Sequence, residues 1–268
     1  MKFLQRRQLE GMGSRQLLRY IDAFRYFLKI KHTFAPPIEQ DLEAFLLSLG
    51  KLRPYTRQKY WYCMKKFYEW LGCGEAFTRF KIHFNAEKLR PHDELLTPAE
   101  MDRLIGAAPT LRDCCLMSVM CEGGYRIGEI LTACVNNVQL LERSCKIMVQ
   151  GKTGWRNPLL VKSAETLRKF LQERPTDGSL FGMTYAAAQH LMDRCARRAG
   201  IRKHVNQQIL RSSAATRDSS FLTEPQLCMK YGWRVGSKMP RIYVRMSGRD
   251  LDEAILRMNG ITDQPKGI

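Results

Sequence analysis

Residues 124–129 read Gly-Tyr-Arg-Ile-Gly-Glu, and with Gly123 they close an apolar run over 111–122. That run predicts a buried helix. The glycine pair breaks it, because glycine takes helix-ending conformations at no steric cost. A short second helix is expected over 126–134, so Arg126 stands at a sharp turn where a long side chain can be aimed inward. Its guanidinium is a planar fork that matches phosphate oxygens and stays charged. Glu129, three residues on, shares its helix face, where a simple ion pair can form.

Upstream, Thr97-Pro98-Ala99-Glu100 has the form of a capping box with proline at the first helical position, which marks the start of a domain over 96–268. Residues 76–95 have weak periodicity and are expected to be a linker. Before them, residues 1–75 predict a helical domain. One amphipathic helix over 14–31 has Ser14 as its cap and Leu17, Ile21, Phe24 and Leu28 inward. A second follows Pro36-Pro37, with Leu42, Phe45, Leu46 and Leu49 inward and Gly50 at its end. A third, from Thr56 to Leu71, turns Tyr60, Met64, Phe67 and Leu71 inward and Arg57, Lys59, Lys65 and Lys66 outward.

Downstream, Lys146–Gln150 and Leu159–Lys162 predict a β-hairpin around Gly151-Lys152-Thr153-Gly154. That turn is not a P-loop, which needs a longer glycine spacing before a helix. Thr184 caps a helix ending at Gly200, and Asn206 caps another that carries Arg211. The expected fold is therefore mainly α with a small antiparallel β-hairpin or sheet, an α+β chain of two domains.

Composition narrows the partner. Of 268 residues, 44 are Lys or Arg and 26 Asp or Glu, a net charge of +18. Such a surplus calls for a polyanion, nucleic acid before anionic membrane. The positive field is denser at the start, with 18 basic against 8 acidic residues in 1–90 and 26 against 18 in the rest. The nine cysteines show no framework spacing and no Cys-x-x-Cys, which points to free thiols in a reducing compartment and away from structural zinc. No signal peptide and no membrane span is expected.

Four pieces, in order, resemble the catalytic domain of tyrosine recombinases, the phage-type integrases. They are Gly124–Glu129, Gly151–Gly154, Gln208-Ile209-Leu210-Arg211, and Gly232-Trp233 followed by Arg241-Ile242-Tyr243. In that family the order is Arg, a hairpin Lys, His-x-x-Arg, His or Trp, then Tyr. The likeness spans about residues 96–260, and Tyr243–Asp250 resembles archaeal members.

The resemblance implies a site-specific recombinase that cleaves and rejoins DNA through a 3′-phosphotyrosine on Tyr243, with no metal, cofactor or ATP. Arg126 and Arg211 would clamp the scissile phosphate, Lys152 would protonate the leaving oxygen, Trp233 would donate to the phosphate, and Glu129 would support the site. Gln208 stands where His is usual, and Ser212 where a second His is common. The helical domain would be the core-binding domain, holding double-stranded DNA through Arg57, Lys59, Lys65 and Lys66. The protein would be a monomer or dimer when free and a homo-tetramer in the synaptic complex, cytoplasmic and nucleoid-associated. A helix over 251–258, apolar at Leu251, Ala254, Ile255 and Met258, docks on a neighbour or on its own domain. Two other readings remain open: a DNA-binding protein with a degenerate site, and a type IB topoisomerase-like enzyme.

Overall fold

Two separate apolar cores divide the chain into compact units, Met1–Lys88 and Leu89–Ile268. The structure, a computed structural model, describes residues 2–80, 92–173, 178–247, 255 and 258–261.

Aromatic rings build the first unit. Its helices are α1 (Lys2–Leu9), α2 (Ser14–Lys31), α3 (Glu39–Ser48), α4 (Pro54–Trp70) and α5 (Glu75–Arg79). In α2 the fully buried line is Tyr20, Ala23 and Phe27, and the expected stripe of Leu17, Ile21, Phe24 and Leu28 lies half-buried beside it. The shift arises because α1, which has no clear signal in the sequence, sets Phe3 5.3 Å from the Tyr20 ring. Ser14 is the first helical residue, with Gly13 at the cap position. Leu42 and Phe45 of α3, and Leu49 just after it, are buried as expected, while Leu46 is half-buried.

On α4, Met64 and Phe67 are buried, but Leu71 is exposed and Trp61 and Tyr68 take its share of the core. Those two rings meet Phe77 of α5 at 4.8 and 5.5 Å. Phe77 is buried, so the first residues of the expected linker pack into this unit instead. Most of the remaining linker, 81–91, lies outside the described residues.

In the second unit, α6 (Pro98–Gly106) opens with the expected capping box: Thr97 Oγ1 accepts from Glu100 N and Glu100 accepts from Thr97 N. Next come α7 (Leu111–Gly123) and α8 (Ile127–Leu131). Leu116, Met117, Val119 and Met120 of α7 are buried around most of its circumference, which suits its largely apolar middle.

Strands β1 (Val138–Leu140), β2 (Cys145–Ile147), β3 (Val149–Gly151), β4 (Gly154–Arg156) and β5 (Leu159–Leu160) follow. They form an antiparallel three-stranded sheet, β1-β2-β5, and a two-stranded ribbon, β3-β4. The expected hairpin is thus split between two sheets. Met148 interrupts one arm and Asn157-Pro158 the other, and proline has no N–H to give a ladder. The ribbon closes tightly, Gly151 opposite Gly154, with Lys152-Thr153 at its tip.

Helices α9 (Ala164–Gln172), α10 (Tyr185–Arg198), α11 (Gln207–Ser219), α12 (Glu224–Tyr231) and α13 (Met239–Met246) complete the unit. Thr184 caps α10 and Asn206 caps α11, as their sequence positions suggest. A small third core of Ala214, Ala215, Leu227, Tyr231 and Tyr243 joins α11, α12 and α13. The helix expected over 251–258 lies outside the described residues except for Ile255 and Met258, both exposed. Among the described residues no helix is long and apolar enough to cross a membrane.

Candidate active site

The turn after α7 builds the first part of the site. Gly124 ends that helix in the left-handed region, φ 55°. A Cβ there would lie 2.3 Å from the Tyr231 ring, so only glycine lets the two chain segments meet. The turn delivers Arg126 to the N-terminus of α8. Its main-chain N–H donates to Glu129 Oε2 at 2.9 Å and its Nη1 to Oε1 at 2.6 Å.

Glu129 also receives Arg156 of β4, Nη2 to Oε2 at 2.6 Å, and both of these side chains are 5% exposed. Arg156 donates further to the Lys230 carbonyl and lies over the Tyr125 ring at 4.9 Å. Burial pushes the Glu129 carboxyl up, but Arg156 and Arg126 outweigh it and hold the group below its ordinary range. The ribbon comes within touching distance of this carboxylate: a Cβ on Gly151 would be 2.6 Å from Glu129 Oε1.

Arg211, on the first turns of α11, enters the same neighbourhood. Its two terminal nitrogens donate to the carbonyls of Gly124 and Tyr231, and its guanidinium lies over Tyr231 and Trp233 at 5.1 and 5.7 Å. Burial, together with the charges of Arg126 and Arg156, pushes Arg211 down to about 10. It remains protonated at neutral pH, inside a cluster of three guanidiniums that has one carboxylate. Such an arrangement favours an anion.

The Gly232 carbonyl ties in the remaining pieces. Thr153 Oγ1 donates to it at 2.9 Å and Arg126 Nη2 lies 3.5 Å away. Lys152, beside Thr153, is exposed and has no hydrogen bond or ion pair among the described residues. The same holds for the side chain of Gln208, on the first turn of α11.

Tyr243 sits in the third core, 9% exposed. Its ring stacks on Trp233 with centroids 5.1 Å apart and planes 1° from parallel, and Trp233 stacks in turn on Tyr231 at 4.8 Å. The phenolic oxygen lies 3.3 Å from Ser212 Oγ, and Ser219 Oγ donates to the Tyr243 carbonyl at 2.9 Å. Tyr231 is committed elsewhere: its hydroxyl donates to Asp218 at 2.7 Å, and Asp218 also holds Lys230 and Arg217.

The structure therefore brings Arg126, Glu129, Arg211, Trp233 and Tyr243 together in one unit. Sequence reasoning missed Arg156, Asp218 and Ser219. The four basic residues of α4 lie in the other unit and differ among themselves. Lys65 and Lys66 share Glu69, at 4.0 and 2.7 Å. Lys59 lies over the exposed Tyr55 ring at 5.0 Å, and Arg57 is half-buried.

The profile of the phage integrase family matches residues 94–245. No curated protein sequence matches the chain. Several solved structures share its fold at low identity. The Tn1549 transposon integrase in complex with circular-intermediate DNA matches with a TM-score of 0.71 and 14% identity, over 95% of this chain and 97% of that one. Lambda integrase residues 75–356 bound to DNA match with 0.69 and 14%, over 94% and 96%. The XerH recombinase in a post-cleavage complex matches with 0.67 and 18%, over 91% and 78%. The family match covers more than half of the chain, including the Arg126 turn, the ribbon, Arg211 and Tyr243. The chain belongs to the phage integrase family, the tyrosine recombinases, and is a site-specific DNA recombinase.

Proposed function

We propose that Tyr243 is the nucleophile of strand cleavage and that the guanidinium cluster holds the scissile phosphate. Tyr243 Oη forms a bond to phosphorus while the bond to the 5′-oxygen breaks. The products are a 3′-phosphotyrosine and a 5′-hydroxyl. The phenolic proton passes to solvent, and Lys152 supplies the proton of the leaving oxygen. One phosphodiester replaces another, so the bond energy is kept and rejoining is the same exchange reversed. Arg126 and Arg211 stabilise the charge that builds on the phosphate oxygens. Trp233 contributes its ring to Tyr243 and its indole N–H to the phosphate, and Gln208 offers an amide where the resembling family commonly has His. Glu129 keeps Arg126 in place.

The observation that carries this reading lies on α11. Arg211 enters the guanidinium cluster, and the next residue, Ser212, touches the Tyr243 hydroxyl. This supports the reading, because neighbouring residues of α11 meet the guanidinium cluster and the hydroxyl of Tyr243 on α13. The test needs no known target site: supercoiled plasmid, EDTA and no ATP, followed by denaturant to trap protein–DNA adducts. Relaxation with a denaturant-stable adduct is the expected result, and tight binding with neither would point to a silent DNA-binding relative.

Lys152→Ala is expected to slow adduct formation by roughly 10²–10⁴, the usual worth of a general acid, with plasmid affinity nearly unchanged. A rate equal to wild type would remove Lys152 from the mechanism.

The DNA-bound relatives include a lambda integrase tetramer on a Holliday junction, and this chain by the same reading assembles as a homo-tetramer on two paired sites. The helical unit is the DNA-gripping core-binding domain. The salt dependence of plasmid binding tests this. Arg57→Ala and Lys59→Ala should each flatten the slope of log affinity against log salt by about 0.9, one phosphate contact apiece. Lys66→Ala should change it less, because Lys66 is already paired with Glu69. All nine cysteines are free, which fits work on DNA in a reducing compartment.

A further inference from the structure

We propose that Ser212 is a further catalytic residue, whose hydroxyl donates a hydrogen bond to the Tyr243 phenolic oxygen as it attacks. The proposal rests on Tyr243 being the nucleophile, as argued above. Two serines of α11, seven residues apart and so two turns along one helix face, hold Tyr243 at both ends. Ser219 pins its carbonyl at 2.9 Å and Ser212 meets its hydroxyl at 3.3 Å.

Trp233 covers the ring face, so the plane of the phenol is also set. Ser212 is 5% exposed and Tyr243 9%, so water competes little for this contact. A phenol O–H lies in the ring plane and has two orientations, and a fixed hydroxyl partner selects between them. When Ser212 donates, it stabilises the negative charge that grows on Oη, and a hydrogen bond to a charged oxygen is stronger than one between neutral groups. The contact transfers no group: Oη still bonds to phosphorus, the 5′-oxygen still leaves, and the phenolic proton still goes to solvent.

The test is the rate of adduct formation on supercoiled plasmid for wild type, Ser212→Ala and Ser212→Thr, at pH 7. Ser212→Ala should be slower by roughly 10- to 100-fold at pH 7, the worth of one hydrogen bond to a charged group, with plasmid affinity and thermal midpoint close to wild type. Ser212→Thr, which keeps the hydroxyl, should recover most of the rate. A Ser212→Ala variant at wild-type speed would overturn the proposal. So would a deficit that threonine does not relieve, since that is the pattern of lost packing. If wild type itself forms no adduct, the proposed nucleophile fails and this role falls with it. A normal wild-type adduct with an unchanged Ser212→Ala rate removes Ser212 alone.

Discussion

Tyr243→Phe is expected to lose the covalent adduct and plasmid relaxation together, a fall of roughly 10⁴-fold or more by the standard of other nucleophile removals. Binding should persist, because the change removes one buried oxygen and no positive charge. The phenyl ring keeps its place against Trp233, where the stack is 1° from parallel, and the Ser219 bond is to the main chain. Stability should therefore fall by only about 1 kcal/mol, the net worth of an ordinary hydrogen bond. Denaturing gels for the adduct, gel shifts for affinity and a thermal melt separate the three quantities. Tyr231→Phe is the matching control. It should cost about 1–3 kcal/mol by leaving part of buried Asp218 unpaired, and it should keep the adduct. An adduct that survives Tyr243→Phe would place the nucleophile elsewhere.

Glu129→Gln should destabilise the second unit by about 3–5 kcal/mol, as removal of one partner of a buried ion pair commonly does. Glutamine has the same shape but no charge, and it would leave Arg156, 5% exposed, without its counter-ion. Arg126 would lose its 2.6 Å partner as well, so adduct formation should slow in whatever fraction stays folded. The pH dependence has a definite sign. The Glu129 carboxyl is held below its ordinary value of 4.5 in the folded chain. Its contribution is thus complete above that value and is lost as pH falls through the lower folded value. The gap in denaturant midpoint between wild type and Glu129→Gln should be full at pH 7 and should shrink below about pH 4. A constant gap at all pH values would mean that the cost is steric and not electrostatic.

What could be read in the sequence was mostly local. Thr97 with Glu100, Asn206 before α11 and Gly124 after α7 act within a few residues of themselves, so their spacing alone predicts the caps and breaks seen. The order of Arg126, Lys152, Arg211, Trp233 and Tyr243 was legible as a family likeness. Their mutual contacts were not, because they join segments far apart in the chain. Arg156 sits in a short strand with an exposed Trp155 before it and reads as a surface residue, yet it is buried on a carboxylate 27 residues upstream. Ser212 reads as a departure from a common histidine, and its contact with Tyr243 spans 31 residues.

The first unit shows a different limit. Aromatic residues lie on so many sides of α4 that several inward faces are possible. The one adopted is set by Phe77 on α5 and by the packing of the rings against one another. Spacing within α4 itself could not decide this, and so Leu71 was expected inward and is exposed.

Whether Tyr243 forms the bond to DNA is decided by mapping the adduct. Wild-type protein is reacted with supercoiled plasmid in EDTA without ATP and denatured, the DNA and protein are digested, and the nucleotide-bearing peptide is sequenced by mass spectrometry. The expected product is a modified peptide that spans Tyr243, with Tyr231 unmodified. A nucleotide on Tyr231 or any other residue would contradict it, as would relaxed plasmid with no tyrosine-linked peptide at all.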